Sequence, residues 1–126
     1  MDFSFKNIDI AYSQIQNNVI RTPLVSSEYI NKELRSNIFF KLENLQITGS
    51  FKFRGAFFKI SLLTNEEKSR GVVAYSSGNH AQAVAYASNI LGTNAKIVMP
   101  KNAPLIKIDN TKKYGAEIVL YDPTSE

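Results

Sequence analysis

Lys52 lies between two phenylalanines in Thr48-Gly49-Ser50-Phe51-Lys52-Phe53-Arg54-Gly55-Ala56, where an apolar stripe of helical spacing begins. A lysine in the first turn of a helix sits at the positive end of the helix dipole, a poor place for an ammonium group. Partial burial beside Phe51 and Phe53 would also favour the neutral amine. Only a neutral amine attacks a carbonyl carbon, so this setting permits imine chemistry. It does not require it. A lysine lying along aromatic neighbours with its head in water has the same local pattern.

A second constellation is Ser76-Ser77-Gly78-Asn79-His80, between a short apolar run and a helical stretch of small residues. Hydroxyls, exposed backbone N–H groups and a helix N-terminus together suit an anion such as a carboxylate. The plainer alternative is a capping loop in which Ser77 or Asn79 satisfies the first helical N–H groups. His80 is the single histidine, and beside a helix start it reads as a structural donor or acceptor.

The elements that must hold these residues follow from periodicity. Ile8, Tyr12, Ile15 and Val19 recur at helical spacing until Arg21-Thr22-Pro23 breaks the pattern. Ser26-Ser27-Glu28 can cap a short helix carrying Tyr29, Ile30 and Leu34. Residues 37–42 are rich in strand formers, and Phe53, Ala56, Phe57, Ile60 and Leu63 form a helical stripe. Thr64 and Glu67 have capping-box spacing. Strands follow at 71–75, 95–99 and 116–121. Between them lie a helix from about Ala81 to Leu91 closed by Gly92, and one from Pro104 to about Tyr114 closed by Gly115. From Asn37 the order is strand, helix, strand, helix, strand, helix, strand. That alternation predicts an α/β fold, a parallel sheet covered by helices. Both constellations fall where chain turns into helix, the usual place for function in such sheets.

Composition narrows the classes. The chain has 126 residues, 44% hydrophobic and 21% charged, which suits one globular domain with a real core. It has no cysteine and one histidine, which excludes disulfides, thiolate ligands and a cysteine nucleophile and leaves no metal cluster in view. The net charge of +4 is modest. The lysines between Lys96 and Lys113 read as a solvated face, with no nucleic-acid partner predicted. No secretory signal opens the sequence and no stretch is apolar enough to cross a bilayer, so a cytoplasmic protein is the default expectation.

Leu42-Glu43-Asn44-Leu45-Gln46-Ile47-Thr48-Gly49-Ser50-Phe51-Lys52-Phe53-Arg54-Gly55-Ala56 closely resembles the cofactor-lysine segment of the serine/threonine dehydratase and serine racemase family. Ser76-Ser77-Gly78-Asn79-His80-Ala81-Gln82 resembles the same family's substrate loop. Arg21-Thr22-Pro23-Leu24, Met99-Pro100 with Ala103-Pro104, and 111–117 match in order and approximate spacing. Two long motifs in order are a far more specific signal than one short one.

The resemblance implies a tryptophan synthase beta-like fold. Residues 51–126 would form its small lobe, residues 1–50 would belong to the large lobe, and the C-terminal remainder of the large lobe would be absent. It implies pyridoxal 5'-phosphate as cofactor, with Lys52 as the Schiff-base lysine that also moves protons at the substrate Cα. Phe51 would lie against the cofactor ring and Asn79 would bond its phenolic oxygen. Ser76, Ser77, Gly78, Asn79 and His80 would grip the substrate carboxylate, and Ser77 matches the serine that in the family's racemases serves as acid/base opposite the lysine. The implied reaction is β-elimination from L-threonine or L-serine to a 2-oxo acid and ammonia, with serine racemisation as the alternative. Complete members are expected to be homo-oligomers. The six glycines are scattered, and no glycine-rich phosphate loop is present. The isolated chain is therefore expected to be inactive, with the helix near Ile8 exposing its apolar face. Two other readings remain open on the sequence: a non-catalytic remnant that binds a homologous partner, and an amino-acid-binding module working without the cofactor.

Overall fold

The computed structural model describes residues 4–124. Ser4 caps α1 (Phe5–Ile15), its hydroxyl accepting from the Asn7 N–H. After β1 (Leu24–Ser26), Ser27 caps α2 (Glu28–Leu34), as its type and position predict. Next come β2 (Phe39–Lys41) and two short 3-10 turns, Glu43–Leu45 and Ile47–Gly49. They lead into α3 (Lys52–Ser61). The predicted capping box is formed at α4 (Asn65–Arg70): the Glu67 N–H donates to the Thr64 hydroxyl, and the Thr64 N–H donates to the Glu67 carboxylate. The remainder alternates as β3 (Val72–Tyr75), α5 (Asn79–Ile90), β4 (Ala95–Pro100), α6 (Leu105–Lys113) and β5 (Glu117–Tyr121). Gly92 and Gly115 follow α5 and α6 with positive φ, the left-handed stops expected of them.

The parallel sheet has the order β3-β4-β5. Residues 37–42 were expected to add a further parallel strand, and they do not. β2 pairs antiparallel with β1, Val25 opposite Phe40, in a separate two-stranded ladder. All three β2 residues are exposed, whereas strands of a parallel sheet are normally covered on both faces. β1 is only three residues long and follows Pro23, too short to announce itself by alternation.

Crossovers of one hand running in one direction along a sheet put both connecting helices on the same face. α5 packs on β3, β4, α3 and α6, and α6 packs on β5. Ala81, Ala83, Ala85 and Ala87 are buried on α5, and their small side chains let its neighbours approach closely. Around it runs an aromatic chain: Phe53 to Phe57 and to Tyr86 at 5.6 Å between ring centres, then Tyr86 to Tyr114 at 5.2 Å. Phe53, Ile97 and Met99 are fully buried. The opposite face of the sheet is open. Val73, Lys96 and Glu117 form one row across it and Tyr75, Val98 and Val119 the next, with Val73 75% and Tyr75 66% exposed. The apolar stripe expected on α1 is only partly exposed: the helix rests on α3, Ile8 and Tyr12 stay exposed, but Ile15 is buried and Val19, beyond the helix end, packs against the core.

Candidate active site

The approach to Lys52 is braced at two points. The Gln46 carboxamide pairs with the backbone of Ile20, accepting from its N–H at 3.0 Å and donating to its carbonyl at 2.8 Å. Arg54 donates through Nε and Nη2 to both Glu43 oxygens, at 2.9 and 2.8 Å, and through Nη2 to the Ile20 carbonyl at 2.9 Å. The Thr22 hydroxyl donates to the same carboxylate at 2.6 Å. This fork holds the Glu43 carboxyl below the usual carboxylate range, chiefly through the Arg54 hydrogen bonds, and pushes the Arg54 guanidinium up in return.

Between the braces the chain turns through two consecutive left-handed residues, Thr48 at φ 61° and Gly49 at φ 73°. Glycine adopts that region freely, but a β-branched threonine there costs about 1–3 kcal/mol. The Thr48 and Ser50 hydroxyls are also buried, with no hydrogen-bond partner among the described residues. Strain and unpaired buried hydroxyls within four residues of Lys52 mark this turn as built for more than chain reversal. The sequence contains both residues in a legible motif, but neither their strain nor their lost partners.

Lys52 is the first residue of α3, at the positive end of its dipole, as the pattern predicts. The expected partial burial between two phenylalanines does not occur. Successive helical side chains point about 100° apart, so burying Phe53 in the core turns Lys52 into solvent. Phe51 is 58% exposed, and the Lys52 ammonium lies 4.9 Å from its ring centre.

Ser76-Ser77-Gly78-Asn79-His80 connects the carboxyl end of β3 to α5. The Ser76 N–H donates to the Val98 carbonyl, and its hydroxyl accepts from the Gly78 N–H at 3.3 Å. Ser77 is exposed and Asn79 is the first residue of α5. The capping-loop alternative is not what forms: no side chain caps α5, which leaves its first N–H groups directed at the loop. The Asn79 carboxamide oxygen instead accepts from Lys107 Nζ at 2.7 Å. His80 lines a groove of about 360 Å³ with Gly55, Ala56 and Ala74, between α3, β3 and α5. Its imidazole is held below the ordinary value, first by partial burial and then by the positive charge of Lys52. Gly55 and Ala56, one turn beyond Lys52 on α3, share that groove with His80, so the segments of Lys52 and the substrate-type loop, 24 to 28 positions apart in sequence, are neighbours in the fold.

Lys52 thus opens α3, which packs on α5, the helix whose N-terminus is uncapped. The family described as pyridoxal-phosphate dependent enzyme matches residues 15–126. The chain belongs to that family. It is 49% identical over 118 residues to a catabolic L-threonine dehydratase of Staphylococcus aureus, covering 93% of this chain and 34% of that protein. Its fold matches maize serine racemase with a TM-score of 0.91 at 44% identity, over 96% of this chain and 37% of the other. The processed form of threonine deaminase isoform 2 from Solanum lycopersicum matches with a TM-score of 0.79 at 38% identity, over 95% and 36%. The chain spans about a third of the length of these relatives. Among the described residues no helix is long and apolar enough to cross a membrane.

Proposed function

We propose that this chain is the N-terminal part of a pyridoxal-phosphate-dependent L-threonine/L-serine dehydratase, acting on small hydroxy-amino acids. The observation that carries the reading is the convergence of Lys52 with the uncapped start of α5, in a chain half identical to a threonine dehydratase. The residues present fit the reactive end of the cofactor. There is a primary amine at Lys52, a flat aromatic surface at Phe51, a carboxamide at Asn79, and the unpaired Thr48 and Ser50 hydroxyls. When bound, the cofactor supplies the electron sink that makes the substrate Cα–H acidic.

The chain's own residues do the rest. Lys52 would hold the cofactor through its Nζ and would take the proton from the substrate Cα. The substrate carboxylate would be gripped by the Ser76-Ser77-Gly78-Asn79-His80 loop, through the N–H groups of Asn79 and His80 and the serine hydroxyls, with Gly78 shaping the loop by its N–H bond to Ser76 and the α5 dipole favouring the charge. Asn79 would donate to the cofactor's phenolic oxygen. Ser77 would serve as the acid/base that serine racemisation needs in addition to Lys52. Residues 1–50 belong to the large lobe and 51–126 to the small one, in a cytoplasmic enzyme that is a homo-oligomer when complete.

Borohydride reduction of the complete protein that carries this segment, with pyridoxal phosphate bound, then peptide mapping, tests the assignment. The pyridoxyl group should fall on Lys52 and be lost in Lys52→Ala. Equal labelling of several surface lysines would sink it.

A further inference from the structure

The Lys107–Asn79 contact is not explained by either sequence motif. Lys107 lies in the first turn of α6, 28 residues beyond Asn79, and is half-buried. Its backbone is tied on both sides: its N–H donates to the Pro104 carbonyl at 2.8 Å, and its carbonyl accepts from the fully buried Thr111 hydroxyl at 2.7 Å. One helical turn further on, Asn110 Nδ2 donates to Gln82 Oε1 at 3.2 Å. Two polar rungs spaced three residues apart therefore join α5 and α6, and they fix the distance from Lys107 to Asn79.

An asparagine carboxamide has one accepting and one donating end, and neighbours decide which way it faces. An ammonium can only donate. Lys107 therefore claims Oδ1 and leaves both Nδ2 protons for the site. A cation on the oxygen also polarises the amide and strengthens its N–H groups as donors.

We propose that Lys107 is a positioning residue: it orients the Asn79 carboxamide so that Asn79 presents only donor groups toward the anionic phenolic oxygen of the cofactor. The proposal rests on the reading of Asn79 given above, but its test needs no bound cofactor. In the chain with ¹⁵N-labelled asparagine, the Asn79 side-chain amide is identified by its loss in Asn79→Ser. Its ¹H–¹⁵N NOE should match the α5 backbone in the unmutated chain and in Lys107→Arg, whose guanidinium also donates. In Lys107→Met it should fall to the value of exposed asparagines such as Asn17, with the backbone signals of Asn89 and Asn94 unmoved. A merely structural role for Lys107 predicts no rescue by arginine. Should Lys107→Met fail to fold, the unmutated chain still decides: a mobile Asn79 amide there overturns the proposal. An amide that stays ordered in Lys107→Met overturns it as well, whichever lysine borohydride labels. Labelling away from Lys52 overturns the functional reading and leaves the positioning intact.

Discussion

Lys52 and His80 give the most direct test that the two motifs share one site. The His80 imidazole is depressed first by partial burial and second by the Lys52 charge. Lys52→Met removes only the second cause, so the imidazole midpoint should rise toward the ordinary value of about 6.5. An NMR titration of the single histidine reads this without ambiguity. No movement would mean that Lys52 lies too far away to matter. The sign for stability follows: the folded state prefers the neutral ring, so it is favoured above the unfolded value of about 6.5 and loses ground as pH falls below it. At this scale the sequence was partly legible. Lys52, Asn79 and the serines sit in contiguous motifs whose residue types permit such chemistry, and whose length and order carry the family resemblance. Lys107 could not be read, because its partner is 28 positions away and nothing around it differs from any basic helix start. Thr48 sits inside a legible motif, but its strain depends on a backbone angle that residue type argues against.

Gly71 is where helix α4 becomes strand β3, and two constraints meet there. Its φ is 81°, and an added Cβ would lie 2.9 Å from the Asn94 carbonyl oxygen. That oxygen accepts from the Val72 N–H at 2.9 Å, so it cannot retreat without loosening the start of the β3–β4 ladder. Gly71→Ala should therefore cost about 2–3 kcal/mol, combining a left-handed alanine with a backbone clash. Gly92 has φ 69° but open space around its Cα, so Gly92→Ala should cost only about 1 kcal/mol. Urea denaturation of the two variants separates the effects, and equal losses would show that the Asn94 contact is immaterial. Elements with a full period or a cap were readable from the chain: the Thr64–Glu67 box, the stripe of α3, and the glycines closing α5 and α6. β2 is recognisable as a strand, but its neighbour is not. Alternation of strand and helix does not say whether a three-residue strand joins the sheet ahead of it or folds back on Leu24–Ser26.

Taken whole, the molecule covers one face of its parallel sheet with α5 and α6 and leaves Val73, Tyr75, Val98 and Val119 on the other. An open apolar face of this kind favours self-association. Sedimentation across a range of concentrations should show reversible association, and Val73→Lys should shift the chain toward monomer without lowering its melting temperature. Association unchanged in that variant would point to the exposed α1 residues instead. The Arg54 fork has a further consequence for the molecule as a connected chain. It joins residue 54 to residues 20, 22 and 43, and Gln46 adds a second tie to residue 20. Everything from β1 through α2 to β2 is thus an excursion that leaves and returns at the same knot. Loop-closure entropy grows only slowly with length, about 0.6 kcal/mol for each doubling. Insertions or deletions within that excursion should therefore cost little, while the knot holds the approach to Lys52.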